Sequence, residues 1–203
     1  VCLSPHAYIL RMRERCWMLF NKHSELQGSH AFLSPSNYSW VNYTDDKLES
    51  RFIAMQAARR GTDLHNLAHE AIRLGVKLSK ANASISTYVN DGIGYKMLCE
   101  QPLVYSRNCF GTADTICFRR GKLRIHDLKT GITPTKEKQL EIYAAIFCLE
   151  YDMVPSDIEI ELRIYQGADI RVFDPHPDVI LDIMEKIVYF DNQIELMRNS
   201  DDY

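Results

Sequence analysis

Two aspartates and a lysine in the middle of the chain have the types and spacing of a metal-binding centre. Asp127 and Lys129 are two residues apart in a predicted strand, so both side chains point to one sheet face, roughly 6–7 Å apart. Asp114 lies in the preceding predicted strand, and a hairpin can place it beside Asp127. The sequence therefore predicts two carboxylates and one ammonium group at the same sheet face.

These three side chains are suited to hydrolysis of a phosphodiester. Carboxylate oxygens are preferred ligands of Mg²⁺ and Mn²⁺, and a bound ion can acidify a water and neutralise charge on a phosphate oxygen. A lysine can orient the attacking hydroxide and stabilise the charged transition state. The alternative is a surface hairpin with an ion pair between Asp127 and Lys129, which is what an isolated D-x-K most often is.

Two further patterns flank the centre. Gln139 and Tyr143 are four residues apart in the helix predicted after the D-x-K strand, so they share one helix face and could reach a phosphate or a base. His65 lies in the first turns of a predicted helix, and a neutral imidazole can bind Mn²⁺. Taken singly, an amphipathic helix and a structural histidine explain these residues equally well.

Together the four patterns resemble the RecB-like branch of the PD-(D/E)xK nucleases. That branch shows G-T-x-x-H on a helix, then G-x-x-D, D-x-K and Q-x-x-x-Y. Here the same motifs occur in the same order, at residues 61–65, 111–114, 127–129 and 139–143. The resemblance covers roughly residues 32–165 and implies an α/β fold with a restriction-endonuclease-like core, in which a small mixed β-sheet is flanked by helices.

The resemblance also implies a role for each matched residue. Lys129 would be the catalytic lysine, acting with Asp114 and Asp127, and Gln139 and Tyr143 would contact DNA beside the cleavage site. One or two Mg²⁺ or Mn²⁺ ions would be bound by His65, Asp114, Asp127 and the carbonyl oxygen of Leu128. Glu100, just before the first predicted strand, could add a carboxylate, and a solvated charge is the alternative there.

Several other polar residues are open to two interpretations. The basic residues near the motifs could contact phosphates or be solvated turn and helix positions: Arg59, Arg60, Arg119, Arg120, Lys122, Lys136 and Lys138. His69 and His65 form H-x-x-x-H, but Asn66 stands where a zinc protease needs Glu, so His69 is expected to be structural or to support the site. His126 occupies a position that is usually apolar in the resembled family, which predicts a wetter or locally paired sheet face behind the site.

Composition limits the remaining possibilities. The 203 residues, 46% of them hydrophobic, suit a single domain, with residues 1–31 as an N-terminal helical extension and 32–203 as the core. A net charge of −3 neither supports nor excludes a nucleic-acid partner. The longest apolar run, residues 143–149, is too short to cross a bilayer, and free thiols suit a cytoplasmic location, the host cytoplasm if the chain is phage-encoded. Some members of the resembled family carry an iron–sulfur cluster with three of its cysteines near the C-terminus, but here no cysteine follows Cys148, so no cluster is expected. No phosphate-binding loop occurs, so ATP is not expected either.

The hydrophobic periodicity predicts helices around a central group of strands. A helix is expected from Asp46, interrupted at Gly61, and a second one, capped by Thr62 or Asp63, ends near Leu74. Residues 33–36 are expected to begin a helix. Further helices are predicted at residues 7–22, within 80–96, and at 136–151 and 177–198, and strands at residues 101–106, 110–119, 122–129, 158–165 and 169–173.

The sequence thus predicts a stand-alone, metal-dependent DNA nuclease, an exonuclease on single-stranded DNA or duplex ends, of the kind used in recombination, repair or phage DNA metabolism. Its partners would be DNA and a separate recombination or annealing protein, with no membrane, and a homo-oligomer is compatible with it. One alternative is a non-catalytic DNA-binding or recombination scaffold on a nuclease fold. Another is a structure-specific endonuclease.

Overall fold

A five-stranded mixed sheet forms the centre of the part of the chain that the computed structural model describes, residues 31–79, 83–131 and 136–200. The strands follow one another across the sheet in chain order, and all neighbours are antiparallel except β3 and β4, which are parallel. Their bounds are β1 (Leu98–Ser106), β2 (Cys109–Arg119), β3 (Lys122–Lys129), β4 (Glu159–Gln166) and β5 (Asp169–Phe173).

Four α-helices accompany the sheet within the described ranges. They are α1 (Asp45–Leu74), α2 (Ala83–Tyr95), α3 (Lys138–Glu150) and α4 (Pro177–Ser200), with short 3₁₀ helices at Pro35–Asn42 and Pro155–Asp157. Helix α3 lies between β3 and β4 in the chain, as a parallel strand pair requires a crossover connection. The predicted α/β architecture, a small mixed sheet flanked by helices, is confirmed.

The chain divides into two compact units, Val1–Phe52 and Ile53–Tyr203. In the first, the 3₁₀ helix begins at Pro35 after Ser34, as predicted for this segment, and the rings of Phe32 and Phe52 meet edge to face at 5.6 Å. The helix predicted at residues 7–22, and with it nearly all of the predicted N-terminal extension, lies outside the described residues.

Each face of the sheet in the second unit is covered by its own pair of helices. On one face, Ile125 and Leu162 pack with residues of α3 and α4. On the other, Leu128 and Tyr165 pack with residues of α1 and α2. The sequence of β4 alternates apolar and polar residues, a pattern typical of a strand with one exposed face, but Glu161 on the polar side is only 8% exposed, so β4 is buried on both faces. Glu161 tolerates burial because it is paired with Lys122 and Arg163, each at 2.9 Å.

The predicted interruption at Gly61 is wrong, because α1 continues without a break from Asp45 to Leu74. A Cβ atom at Gly61 would lie 2.6 Å from Oγ1 of Thr130, the residue that follows β3. Glycine at this position therefore lets the helix backbone approach the end of β3. Its helix-breaking tendency, roughly 1 kcal/mol relative to alanine, is overridden by this packing.

None of the helices in the described ranges has the length and apolarity needed to cross a membrane.

The close approach at Gly61 can be tested with alanine. In an unconstrained helix, Gly61→Ala would raise the free energy of unfolding by roughly 1 kcal/mol. Here we expect it to lower that free energy by about 1 kcal/mol, because the new methyl group meets Thr130 Oγ1 at 2.6 Å. In a Thr130→Ala background, which removes Oγ1, the same substitution should become neutral or stabilising. Urea denaturation of the four proteins measures the effect, and equal stabilisation in both backgrounds would contradict the packing role.

Candidate active site

Asp114 and Asp127 lie across from each other on β2 and β3. The antiparallel register pairs Thr115 with His126, and its continuation by one residue places Asp114 opposite Asp127. Oδ2 of Asp114 accepts a hydrogen bond of 3.1 Å from the Leu128 N–H, which holds this carboxylate against β3. The structure thus brings together the two carboxylates that the sequence predicted to meet.

Asp127 is a buried carboxylate with one unpaired oxygen. The residue is 3% exposed, and its Oδ1 lies 3.0 Å from Nζ of Lys129. Its Oδ2 is buried and has no hydrogen-bond partner in the described part of the chain. Burial, and after it the negative charge of Asp114, raises the pKa of Asp127 above its ordinary value, although Lys129 opposes the shift. The ionised form of Asp127 is therefore disfavoured even with the ammonium group of Lys129 beside it.

Lys129 is connected to helix α3 through Gln139. Its Nζ donates to Oε1 of Gln139 at 3.2 Å, and Nε2 of Gln139 lies 3.5 Å from the hydroxyl oxygen of Tyr143, at the limit of a hydrogen bond. The Lys129 side chain is 27% exposed, so its ammonium group is held between Asp127 and Gln139 at the edge of the site. Gln139, predicted to contact DNA, thus has a second role in fixing the lysine.

The glycine of the G-x-x-D motif makes a second close approach. A Cβ atom at Gly111 would lie 2.9 Å from Cε1 of Tyr143, so the ring of Tyr143 rests on the backbone of β2. Gly61 makes the corresponding contact between α1 and Thr130. The four motifs are therefore one local structure, in which the glycines allow α1 and α3 to approach the strands that carry the carboxylates.

Two histidines of α1 face the carboxylates, one turn apart. Nδ1 of His65 lies 3.5 Å from Oδ2 of Asp114, as expected for a residue that could share a metal ion with it. His69 is 4% exposed, its Nε2 lies 3.2 Å from the hydroxyl of Tyr88, and burial is the main cause that lowers its pKa. His69 is therefore a buried side chain that packs against α2, in line with the structural role expected from Asn66 in the H-x-x-x-H pattern.

Glu100 lies inside β1 rather than before it, in an ion pair. Nη2 of Arg73 donates to its Oε2 at 2.6 Å, and its side chain is half exposed. The predicted additional metal-binding carboxylate thus already has a cationic partner, Arg73, which the sequence did not single out.

The predicted phosphate-binding cations do not gather around the carboxylates. Arg119 and Arg120 lie at the β2–β3 turn, at the opposite end of β3, so Lys122 beside them is roughly 17 Å along the strand from Asp127. Lys122 is also paired with Glu161 at 2.9 Å. The eight residues of β3 thus separate this turn from the carboxylates, and a phosphate contact by Arg119 or Arg120, farther along a bound DNA, stays a prediction.

On the helix side of the site, the two lysines near the start of α3 differ in their surroundings. Nζ of Lys138 lies 2.5 Å from Oε2 of Glu141, whereas Lys136 is exposed and directly follows residues 132–135, which lie outside the described ranges. A phosphate contact by Lys136 stays a prediction, as does a metal contact by the carbonyl of Leu128.

A paired polar cluster lies behind the site, on the α2 side of the sheet. The hydroxyl of Tyr165 donates to Asp91 at 2.7 Å and lies 3.2 Å from Nδ1 of His126, while Arg163 donates to Asp91 at 2.9 Å. His126 is completely buried, and burial, assisted by the positive charge of Arg163, lowers its pKa to about 3. The opposite face is thus locally paired, one of the two outcomes predicted from His126.

The donor set suits a divalent cation although it is not arranged as a closed metal site. Among residues 31–79, 83–131 and 136–200, no three His, Cys, Asp or Glu side chains form a ready metal-binding group. The available donors are two carboxylates and one imidazole, and a buried oxygen, Oδ2 of Asp127, is without a partner. Oxygen-rich donors with one imidazole fit Mg²⁺ or Mn²⁺.

Comparison with known families identifies one similarity. A family described as "Protein of unknown function (DUF2800)" matches residues 94–169, which run from the end of α2 to the start of β5. The matched segment contains Asp114, Asp127, Lys129 and Gln139 but not His65, which lies on α1. No curated protein matches the chain.

The raised pKa of Asp127 predicts a gain in stability when its charge is removed. Asp127→Asn should raise the free energy of unfolding at pH 7 by about 1 kcal/mol, because the folded chain no longer holds a buried carboxylate beside Asp114. A carboxyl whose pKa is raised on folding destabilises the protein above that pKa and has no effect below its unfolded value of 3.8. The advantage of Asn should therefore shrink as the pH falls from 7 towards 4.

Urea denaturation of both proteins at a series of pH values measures this difference. Asp182→Asn, on the exposed side of α4, is a matched control and should change little at any pH. A lower stability of Asp127→Asn at pH 7 would show that the ion pair with Lys129 outweighs burial.

Proposed function

We propose that the chain is a divalent-metal-dependent DNA nuclease that hydrolyses phosphodiester bonds at Asp114, Asp127 and Lys129. The observation that supports this most directly is the buried Oδ2 of Asp127, which has no partner and lies beside a second carboxylate and a lysine. A surface ion pair would leave Asp127 exposed, whereas it is 3% exposed here.

The two aspartates and His65 would hold the ion, through Oδ2 of Asp127, the Asp114 carboxylate and an imidazole nitrogen. When bound, a divalent cation of this kind supplies an acidified water and a positive charge near the phosphate. The pKa of Asp127 is raised by burial and by Asp114, so a nearby positive charge would stabilise its ionised form. Ionisation of both carboxylates is therefore unfavourable without a bound cation and becomes favourable with one.

Lys129 would supply a fixed positive charge to the reacting phosphate. Its Nζ has three hydrogens, and two of them are used by Asp127 at 3.0 Å and Gln139 at 3.2 Å. The third would donate to the attacking water or to a non-bridging phosphate oxygen, on which negative charge increases in the transition state. Because both existing partners fix the ammonium group, little reorganisation is needed when substrate arrives.

The substrate and the mode of cleavage depend on the resemblance to RecB-like nucleases. That resemblance favours DNA over other phosphodiesters and exonucleolytic action on single strands or duplex ends, in recombination, repair or phage DNA metabolism. Tyr143 supports contact with the substrate, since its hydroxyl lies next to Gln139 at the rim of the site. A separate recombination or annealing protein as partner, and a cytoplasmic location, are proposed on the same basis.

Cleavage of end-labelled single-stranded, duplex and circular DNA tests the proposal. Wild type should cut in Mn²⁺ or Mg²⁺ and not in EDTA, and Asp127→Ala and Lys129→Ala should each lower the rate by about 10²-fold or more, since each removes a charge that acts on the phosphate. Lys186→Ala, at an exposed position of α4, is the matched control for Lys129→Ala and should retain the wild-type rate. Intact circles would indicate an exonuclease.

The opposite result is equally informative. If wild type binds DNA but cuts none of these substrates with either metal, the catalytic proposal fails and a DNA-binding scaffold replaces it. Cleavage at internal branch points only would indicate a structure-specific endonuclease.

Gln139 should affect the reaction through Lys129 as well as through the substrate. We expect Gln139→Ala to lower kcat by about 10-fold, the lower range for residues that orient catalytic groups, because Lys129 loses one of its two fixed partners. Steady-state kinetics on the preferred DNA measures this, with Gln193→Ala on α4 as a control. A rise in KM without a change in kcat would show that Gln139 only binds DNA.

A further inference from the structure

We propose that Arg73 and Glu100 are a pair of positioning residues that aim Asp114 at Asp127. Their ion pair holds a break in strands β1 and β2 at the point where Asp114 enters the site. The importance of this pair for cleavage rests on the proposed function, whereas its effect on the position of Asp114 does not.

Glu100 has a backbone conformation that is unusual in a strand. Its φ is +51°, in the left-handed region that residues with a Cβ atom rarely adopt. The other non-glycine residues with positive φ in the described ranges, Lys96, Arg120 and Asp152, lie outside the strands. A strand residue held in such a conformation needs support from its surroundings, and such residues are common at functional sites.

The same position interrupts the alternation of β1. Cys99 packs with the residues of α1 and α2, whereas Leu103 packs with those of α3, although residues four apart in a regular strand share a face. The register pairs Cys99 with Thr115 and Gln101 with Ala113, so Glu100 lies across from Asp114. The break in β1 is thus directly opposite the catalytic carboxylate.

Strand β2 is interrupted at the same level. Ala113 and Ile116 both pack on the α3 side, although residues three apart in a regular strand face opposite sides. The alternation of β2 is therefore broken between Ala113 and Ile116, in the stretch that contains Asp114.

Helix α1 supplies the contacts that hold the break. Arg73 donates to Oε2 of Glu100 at 2.6 Å, and Nδ1 of the buried His69 lies 3.8 Å from Oε1. Sγ of Cys99 lies 3.9 Å from the carbonyl oxygen of His69, so the residue before Glu100 also contacts α1. Helix α1 also places His65 next to Asp114, so the same helix contacts both Glu100 and Asp114.

The Arg73–Glu100 ion pair lies at the surface, so its effect is expected to be local. Arg73 and Glu100 are 52% and 50% exposed, and ion pairs with such exposure contribute little to global stability. Removing the pair should therefore disturb Asp114 locally and leave the melting temperature nearly unchanged. This separates a positioning role from a merely structural one.

The amide proton of Leu128 is a direct reporter, because it donates to Oδ2 of Asp114 at 3.1 Å. Hydrogen exchange of this amide would be followed by NMR in the metal-free protein, with the amide of Ile125 on the same strand as reference. Asp114→Asn is the reference variant, because it shows how much exchange at Leu128 accelerates when the acceptor carboxylate itself is changed. We expect Arg73→Gln and Glu100→Gln each to accelerate exchange at Leu128 several-fold and not at Ile125, and Arg73→Glu with Glu100→Arg to restore protection.

An unchanged Leu128 amide in both single variants, or equal acceleration along all of β3, would overturn the proposal. If Arg73→Gln does not fold, Glu100→Gly gives the same test, since glycine tolerates the φ of +51° without the side chain.

Mn²⁺ binding distinguishes positioning by Glu100 from direct metal binding by it. If the pair positions Asp114, Arg73→Gln should weaken Mn²⁺ binding about 10-fold, as removal of a residue that orients a ligand does. If Glu100 is a ligand, freeing it from Arg73 would leave binding unchanged or tighten it, and that result would overturn the proposal. Absence of Mn²⁺ binding by wild type would refute the proposed function alone, and the exchange at Leu128 would still decide the positioning role.

Discussion

Two carboxylates placed across from each other, one of them buried, impose the constraint on which the rest of the site depends. Asp127 is out of water next to Asp114, and both effects raise its pKa. Two groups partly compensate the negative charge: the ammonium of Lys129 contacts Asp127, and the Leu128 N–H donates to Asp114. One oxygen of Asp127 still has no partner in the described residues. An added cation would stabilise the ionised form of such a carboxylate pair, which is in line with the proposed metal-dependent reaction.

The helices on the two sides of the sheet meet this constraint differently. Helix α3 approaches through the contact of Tyr143 with Gly111 and fixes Lys129 through Gln139. Helix α1 approaches through Gly61 and faces the carboxylates with its histidines. On the α2 side of the sheet, Tyr165 and Arg163 of β4 both donate to Asp91, which connects this part of the sheet to α2. Asp127 is thus buried, whereas Lys129 and Gln139 reach the surface, where the proposed substrate would enter.

Sequence reasoning located the site better than it described its surroundings. The period-2 spacing of Asp127 and Lys129 and the short β2–β3 turn determine which side chains meet, so these could be predicted. Gly61 could not, because its fit against Thr130 depends on a contact between residues far apart in the chain. The same limit applies to Glu100, whose φ and partner Arg73 follow from packing on α1. Arg119 and Arg120 are close to the motifs in sequence yet lie at the far end of a strand.

The central claim is that Asp114 and Asp127 together hold a divalent cation. Diffraction from crystals soaked in Mn²⁺, measured on both sides of the manganese absorption edge, would test it directly. The account predicts an anomalous peak in contact with Oδ2 of Asp127 and the carboxylate of Asp114, which disappears in Asp127→Asn. Mn²⁺ bound only elsewhere on the protein, with Asp127 still paired to Lys129 alone, would contradict it.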